Sequence, residues 1–520
     1  MEFTRRAVIF LTGLGLMALS YNPVFAKGDA SAGKKVFEKR CQGCHGEKGD
    51  GKGLAAVFLY PKPADLTAGK FKLRSTPSGE MPTDDDLFKT ITNGIPGSAM
   101  PSFAYISDDE RWDVLQHIKT VAVYFDEEEG KEYKLFEIRG TPHPLTVSAE
   151  PAMTPESLTK AKAVYEQEKL GCVKCHGRLG KGDGPSAQEQ TDDWGRPIKV
   201  RDFTTGIFKG GNTNKDIYLR FATGMAGTPM PAFSGEQISD ADRWLLVQYV
   251  QSLKNPDTRI ATGPADSTIV ATQTTENIPG DDTDAALWQS TKEYEIPLNR
   301  LWQTEIIPMH VRVKALCNSK EIAIHMEWDD TTQNMDYFRE QGFRDAAAVQ
   351  FSPNGEFPFI GMGNGKGMTG VEIPVNIWQW KGDWQLDSGY YTDIKHVYPS
   401  MHVDTYYFPK EVQDKTYLSG RAAGNLFSSE HRPSVIEDLN AVGFGSLESQ
   451  PVSSQGVQGT GCWSDNKWRI VFKRSLESQE ARDVKFSKGA TVPISFAVWD
   501  GEKQDRDGIK FVSTWYKLKL

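Results

Sequence analysis

The chain has 520 residues, which at roughly 150 residues per domain points to about three domains. Hydrophobic residues make up 38% and charged residues 25%, an ordinary folded composition that excludes wholesale disorder. Against 69 Asp and Glu stand 60 Lys and Arg, a formal net charge of -9 with no strongly basic stretch, so no nucleic acid is expected as a partner.

In chain order, residues 1–26 carry Arg5 and Arg6, an apolar run from Ala7 to Leu19, and Val24-Phe25-Ala26. A basic n-region, an h-region and a small-residue cleavage site predict a signal peptide cut near Ala26 and a periplasmic or otherwise exported mature protein. A retained N-terminal anchor is the competing reading, and the arginine pair hints at twin-arginine export. No other apolar run approaches the roughly 20 residues of a membrane span, so no transmembrane segment is expected in the mature chain.

Residues 27–125 form the first of two copies of one pattern. A short helical stretch with Val36 and Phe37 precedes Cys41-Gln42-Gly43-Cys44-His45-Gly46. Thr92-Asn93-Gly94 and Ser98-Ala99-Met100-Pro101-Ser102-Phe103 follow. An amphipathic helix closes the copy, opened by a Ser107–Glu110 capping box and carrying Trp112, Leu115 and Ile118 on one face. Residues 126–155, with the acidic run Asp126-Glu127-Glu128-Glu129 and several prolines, read as an extended linker.

Residues 156–254 repeat the pattern: Ala163 and Tyr165, then Cys172-Val173-Lys174-Cys175-His176-Gly177, then Thr228-Pro229-Met230-Pro231-Ala232-Phe233. The closing helix starts at Ser239 and carries Trp244, Val247 and Val250. His45 to Met100 is 55 positions and His176 to Met230 is 54, so the register holds across each copy. Residues 255–284, rich in Thr, Asp, Gly and Pro, read as a second linker without a fixed length requirement.

From 285 to 520 the hydrophobic period becomes two. His310–Leu316 and Glu321–Trp328 flank Asn318-Ser319-Lys320, a hairpin signal, and Ala346–Phe351, Trp468–Phe472, Val492–Trp499 and Lys510–Leu518 are further strands. This predicts an antiparallel β-sandwich, with 390–451 as long loops or an insertion. The fold class is multidomain α + β: two mainly α domains, then the sandwich.

The chemistry sits in the repeated pentapeptide. Covalent haem attachment takes two thiols that reach the two vinyl groups of one porphyrin, and an adjacent imidazole that takes the iron from one face. Cys-x-x-Cys-His supplies all three. A Cys41–Cys44 disulfide with an incidental His45 is one alternative. A zinc site is another, but it normally needs four converging ligands. Recurrence of the motif at the same place in both copies, followed by Met-Pro at matching distance, favours haem. Met100 and Met230 are then the second axial ligands, soft thioethers that raise the reduction potential. Met81, also before a proline, and Met225 are the competing sulfurs; His117 and His143 read as surface residues.

Residues 28–123 and 158–253 thus resemble class I cytochrome c. The resemblance implies one haem c per domain, attached through Cys41, Cys44 and His45, and through Cys172, Cys175 and His176, with both axial positions filled and electron transfer as the role.

In the third part, Asp345–Phe351, Phe359-Ile360-Gly361-Met362-Gly363, Val375–Trp380, Trp468–Arg474, Ile494–Gly501 and Gly508–Trp515 follow in an order that resembles the haem-binding domain of the ethylbenzene dehydrogenase γ-subunit family. This resemblance implies one non-covalent haem b held between Met362 and Lys510, with Met368, His402 and Lys503 as competing ligands. It also implies molybdenum/iron–sulfur oxidoreductase subunits as partners, and a soluble cytochrome or membrane redox carrier at the other end of the relay. No pterin-binding domain or multi-Cys iron–sulfur motif lies in this chain. The alternatives are a stand-alone haem enzyme with an open iron acting on a small inorganic substrate, and a dihaem cytochrome with a haem-free partner-binding sandwich. Cys317 and Cys462 are either a disulfide or two separate thiols.

Overall fold

The computed structural model describes residues 27–520 apart from 234, 304–306, 337, 390, 403–419, 421–424 and 430, so the expected signal peptide lies outside the described residues. The first domain comprises α1 (Ala30–Arg40), the single turn α2 (Gln42–His45), α3 (Asp84–Asn93) and α4 (Asp108–Val121). Asp29 caps α1, and Thr83/Asp86 and Ser107/Glu110 form full capping boxes at α3 and α4. Each cap is worth about 1 kcal/mol. α1 crosses α4 at Gly33, where a Cβ would lie 1.9 Å from the Asp113 carbonyl oxygen, so only glycine permits the approach. Phe37, Leu87, Ile91, Val114, Leu115 and Ile118 pack in the core beneath the crossing. Trp112 lies half-buried at the edge of that core and stacks on Phe88 at 4.4 Å.

The expected linker 126–155 is in part folded. β1 (Val123–Asp126) and β2 (Lys131–Lys134) form an antiparallel hairpin whose turn holds the acidic run. The following turn α5 (Leu135–Ile138) buries Leu135 against Met81 and Ala122. Beyond it the chain lies along the second domain, where Trp244 Nε1 donates to Ser148 Oγ at 2.8 Å and Gln248 Nε2 to the Pro151 carbonyl at 3.1 Å. That domain repeats the first with α6 (Pro155–Tyr165), α7 (Cys172–His176), α8 (Asn214–Thr223) and α9 (Asp240–Ser252). The buried face of α6 is Ala161, Val164 and Tyr165, while Ala163 points to solvent.

The third domain holds β3 (Thr268–Val270), β4 (Thr272–Gln273), β5 (Glu293–Arg300), β6 (Met309–Cys317), β7 (Glu321–Asp329), β8 (Ala346–Phe351) and β9 (Val375–Lys381). β10 (Ile436–Ala441), β11 (Glu448–Ser449), β12 (Gln458–Ser464), β13 (Lys467–Ser475), β14 (Thr491–Trp499), β15 (Phe511–Val512) and β16 (Tyr516–Lys519) complete it. Among the described residues they hydrogen-bond into one 14-stranded sheet, antiparallel except where β3 joins β16 and β4 joins β6. The sheet folds over itself. Trp380 of β9 lies against Trp328 of β7 and Trp468 of β13, and one apolar core holds residues from β5–β7, β8–β9, β13 and β14 together. The β6–β7 hairpin forms where the Asn318–Lys320 turn places it.

Three expectations change. The stretch 255–284 is no free linker, because β3 and β4 enter the sheet and Ile269 and Ala271 join its core. The single strand expected over 510–518 is two, since the chain turns out at Ser513–Trp515, where Trp515 Nε1 donates to the Pro358 carbonyl at 2.7 Å. Finally, 390–451 contains β10, fully buried beside β9. Its sequence Ile-Glu-Asp-Leu-Asn-Ala lacks apolar alternation because its acidic groups find partners inside: Glu437 pairs with Lys381, and Asp438 accepts through one oxygen from Asn376 at 2.7 Å and Gln450 at 3.1 Å. Cys317 sits in the core on β6 and Cys462 is exposed on β12, three strand positions away, so the two thiols stay separate.

Burial, then the nearby Asp483 charge, raises the Asp438 carboxyl to about 7; burial and Asp330 do the same for Asp345. An acid whose folded pKa is raised holds its proton longer when folded, so stability falls as pH climbs from about 4 to about 7. For Asp438 that is about 4 kcal/mol. Asp438→Asn, whose amide replaces an oxygen that has no hydrogen bond, removes one proton from that slope. Thermal melts at pH 5 and pH 8 read the difference; an unchanged slope contradicts the assignment.

Candidate functional site

Cys41 ends α1, and the next turn carries Cys44 and His45, so the three side chains gather on one face of a single helical turn. They line one cavity together with Met100. His45 Nδ1 lies 2.9 Å from the Ala64 carbonyl, which fixes the tautomer with the proton on Nδ1 and leaves Nε2 as the nitrogen able to bind metal. The second copy is built alike: His176 Nδ1 lies 3.2 Å from the Arg201 carbonyl, and the ring stacks on Phe203 at 4.3 Å. Burial pushes the His176 imidazole down to about 4 and lowers His45 too, so both rings are neutral, as a metal ligand must be. Burial also raises Cys41 and Cys44 to about 12 and Cys172 to about 11, keeping these thiols protonated.

The methionine loops match bond for bond. Ile95 N–H donates to the Met100 carbonyl at 3.1 Å, and Met225 N–H to the Met230 carbonyl at 3.1 Å. Ser98 Oγ and Thr228 Oγ1 each accept from the methionine N–H at 3.3 Å. Gly94 and Gly224 pass so close to Pro101 and to the Pro231–Ala232 backbone that a Cβ at either would clash. Met225 therefore occupies the place of Ile95, the donor end of the bond that closes the loop, and Met230 the place of Met100. Met81 is 2% exposed, packed on Ala122 and Leu135 away from the cavity that Met100 lines.

A cavity of about 1610 Å³ opens on the outer face of the folded sheet. Period two decides its lining. On β8, Ala346, Ala348 and Gln350 face it while Ala347, Val349 and Phe351 face the core; on β14, Ser495 and Ala497 face it while Ile494 and Val498 face the core. Small side chains on neighbouring strands leave the room that a flat ligand needs. Met362 and Lys510 both line this cavity. Met362 has φ +68, an uncommon conformation for a residue with a Cβ, and Gly363 beside it has φ +89, with a Cβ there landing 2.6 Å from the Ile373 carbonyl. Lys510 lies over the Trp499 ring at 5.0 Å and donates to the Asp507 carbonyl at 3.1 Å. Burial pushes its ammonium down to about 8, which brings the neutral, metal-binding amine within reach.

Lys503 pairs with Asp500, and neither it nor His402 is part of the cavity lining; the side chain of Met368 lies outside the described residues. Two features escaped the sequence. One is the buried Lys381–Glu437 pair in the cavity wall. The other is a cluster of Asp330, Asp345 and Asp500 at three strand ends, whose carboxylates lie within 4.8 Å of one another. Both join residues too far apart in the chain for any spacing to reveal.

The first domain is seated between the other two. Toward the third, Tyr60 and Trp302 bridge their backbones, Tyr105 packs on Phe357 at 4.8 Å, and Thr514 Oγ1 donates to the Ser102 carbonyl at 2.6 Å. Cys44 and Ala99 share an apolar cluster with Leu301, Phe359, Phe444 and Val512, and Val57 and Phe58 reach the large cavity itself. Toward the second domain, Arg74 donates to the Thr223 carbonyl at 2.9 Å, Arg220 to the Lys72 carbonyl at 3.1 Å, and Lys89 pairs with Asp216 at 2.5 Å.

Residues 285–510 match the family model described as ethylbenzene dehydrogenase; 28–118 match cytochrome c oxidase, cbb3-type, subunit III; and 158–254 match cytochrome c. The chain is 25% identical over 246 residues to dimethylsulfide dehydrogenase subunit gamma of Rhodovulum sulfidophilum, covering 45% of this chain and 72% of that one. It is 24% identical over 252 residues to chlorate reductase subunit gamma of Ideonella dechloratans, covering 46% and 80%. It is also 33% identical over 98 residues to cytochrome c-554(547) of Halothiobacillus neapolitanus, covering 18% of this chain and 98% of that one. No helix among the described residues is long and apolar enough to cross a membrane.

Proposed function

From a chain that belongs to the cytochrome c family over its first two domains and carries an ethylbenzene dehydrogenase-type domain as its third, we propose a three-haem electron-transfer subunit. Cys41, Cys44, Cys172 and Cys175 would attach two haems c, His45/Met100 and His176/Met230 would be the residues that ligate their irons, and Met362 and Lys510 would hold one haem b in the large cavity. The observation that carries this reading is the duplication of an entire hydrogen-bonded site, histidine tether and methionine loop alike.

Bound haem supplies one-electron redox chemistry at iron. The chain's own residues do the rest. The Ala64 and Arg201 carbonyls hold each imidazole in the liganding tautomer, and the Ser98 and Thr228 hydroxyls hold each methionine loop. With a thioether and an imidazole offered to each haem c, and a thioether and an amine to the haem b, the residues present would leave no position for substrate, and bond-making would belong to a partner. The seating of the first domain supports a linear route: large cavity, first domain, second domain. The γ-subunit relatives support a molybdenum/iron–sulfur oxidoreductase docking beside the third domain, with a soluble or membrane carrier at the second. Export to the periplasm is supported by haem c chemistry and by the signal peptide expected over residues 1–26.

Pyridine haemochrome spectra of the purified mature chain are expected to show two c-type haems and one acid-acetone-extractable b-type haem, and purification from its source is expected to bring molybdenum with it. Two c-type haems alone assign the third domain to partner binding, and a high-spin third haem that binds carbon monoxide rapidly makes the chain itself the enzyme.

A further inference from the structure

Phe71-Lys72 and Phe208-Lys209 hold the same place in the two repeats. Each follows a glycine at positive φ, Gly69 or Gly206, and each lies after a matched bond, Leu66 N–H to the Gly49 carbonyl or Phe203 N–H to the Gly180 carbonyl, both 2.7 Å. Yet Lys209, a second-domain residue, lines the first domain's cavity beside Lys72, in company with Cys41, Cys44, His45 and Met100. Among the described residues nothing accepts a hydrogen bond from the Lys209 ammonium. Burial, then Arg201, then Lys72 push it down to about 7, and no carboxylate offsets them.

Arg201 reaches across the same seam. Its carbonyl holds His176, and its guanidinium lies against Gly97 in the Met100 loop, where a Cβ would sit 2.3 Å from Nη1. That Nη1 is buried and has no hydrogen-bond partner. Three cations thus converge between the domains: Lys209 has no acceptor among the described residues, and Arg201 leaves Nη1 unpaired while Nη2 reaches the Gly97 carbonyl at 3.5 Å. Buried charge left unpaired is costly, and carboxylates are the chemistry that answers it. A haem held by Cys41, Cys44 and His45 brings two carboxylates of its own, on its propionate arms.

We propose that Lys209 and Arg201 of the second domain, together with Lys72, form an inter-domain clasp that receives the propionate carboxylates of the first domain's haem, so that the second domain sets the potential of its neighbour. The clasp rests on the reading of residues 41–45 as a haem c attachment site. Positive charge beside a haem favours the reduced iron, whose net charge is lower, so removing it lowers the potential.

The test is spectroelectrochemical titration of the full mature chain, with the first haem's wave identified as the one that Met100→Ala moves. Lys209→Gln is expected to shift the first haem's reduction equilibrium by roughly tenfold toward the oxidised form, 59 mV for one electron, while the second haem moves less. Lys209→Arg is expected to restore it, and Lys72→Gln to act in the same direction. Two attached haems with the first wave unmoved in both Gln variants overturn the clasp. A wild-type chain without covalent haem on Cys41 and Cys44 overturns instead the reading beneath it.

Discussion

Met362→Ala and Lys510→Ala are each expected to strip the mature chain of an acid-acetone-extractable haem while covalent haem remains, and the measurement is the ratio of b-type to c-type pyridine haemochrome. The two residues line one cavity from positions 148 apart in the sequence, so neither can stand in for the other. Losing an outer-shell partner alone typically lowers metal affinity 10–100-fold, and loss of a ligand costs at least about that much. The small side chains Ala346, Ala348, Ser495 and Ala497 still offer the space, which makes the loss one of coordination and not of shape. Acidification is expected to act in the same direction, because a proton on the Lys510 amine would compete with iron for the same lone pair. Retention of the b-type haem in both variants discards these two residues as its ligands.

Met100→Ala is expected to keep the first haem covalently attached but to open a coordination position on its iron. Its potential is expected to fall by a substantial part of the roughly 0.8 V range that axial ligands span, and carbon monoxide is expected to bind a haem that excluded it before. Met81→Ala is the control. Met81 precedes a proline just as Met100 does, but its side chain packs on Ala122 and Leu135, so its removal costs stability, about 2–5 kcal/mol for a buried methionine, and leaves the spectrum unchanged. A spectrum altered by Met81→Ala and not by Met100→Ala reverses the assignment.

These pairs show where the sequence was legible. Met81-Pro82 and Met100-Pro101 are equivalent as dipeptides, and it took the register of the repeat to separate them; the loop hydrogen bonds around Met100 and Met230 then agree with that register. The β6–β7 hairpin and β8 were readable because apolar alternation and a turn lie within a few residues of each other. β10 was not readable, since its Glu437, Asp438 and Asn440 are buried against Lys381, Asn376 and Gln450, and burial with a distant partner leaves no local trace. The same holds for β3 and β4, short segments whose strand character comes from β16 and β6.

What the amino-acid order determined by itself is therefore the local chemistry: two thiols and an imidazole on one helical turn, repeated, and a methionine loop at a constant distance from each. A helix of 3.6 residues per turn brings neighbours in sequence together whatever the rest of the chain does. Only the tertiary structure decided that Met362 and Lys510 share one cavity, that the first domain lies between the other two, and that Lys209 crosses from one repeat to the site of the other. Each of these depends on long-range packing, where contact follows from the burial of whole faces and no spacing along the chain encodes it.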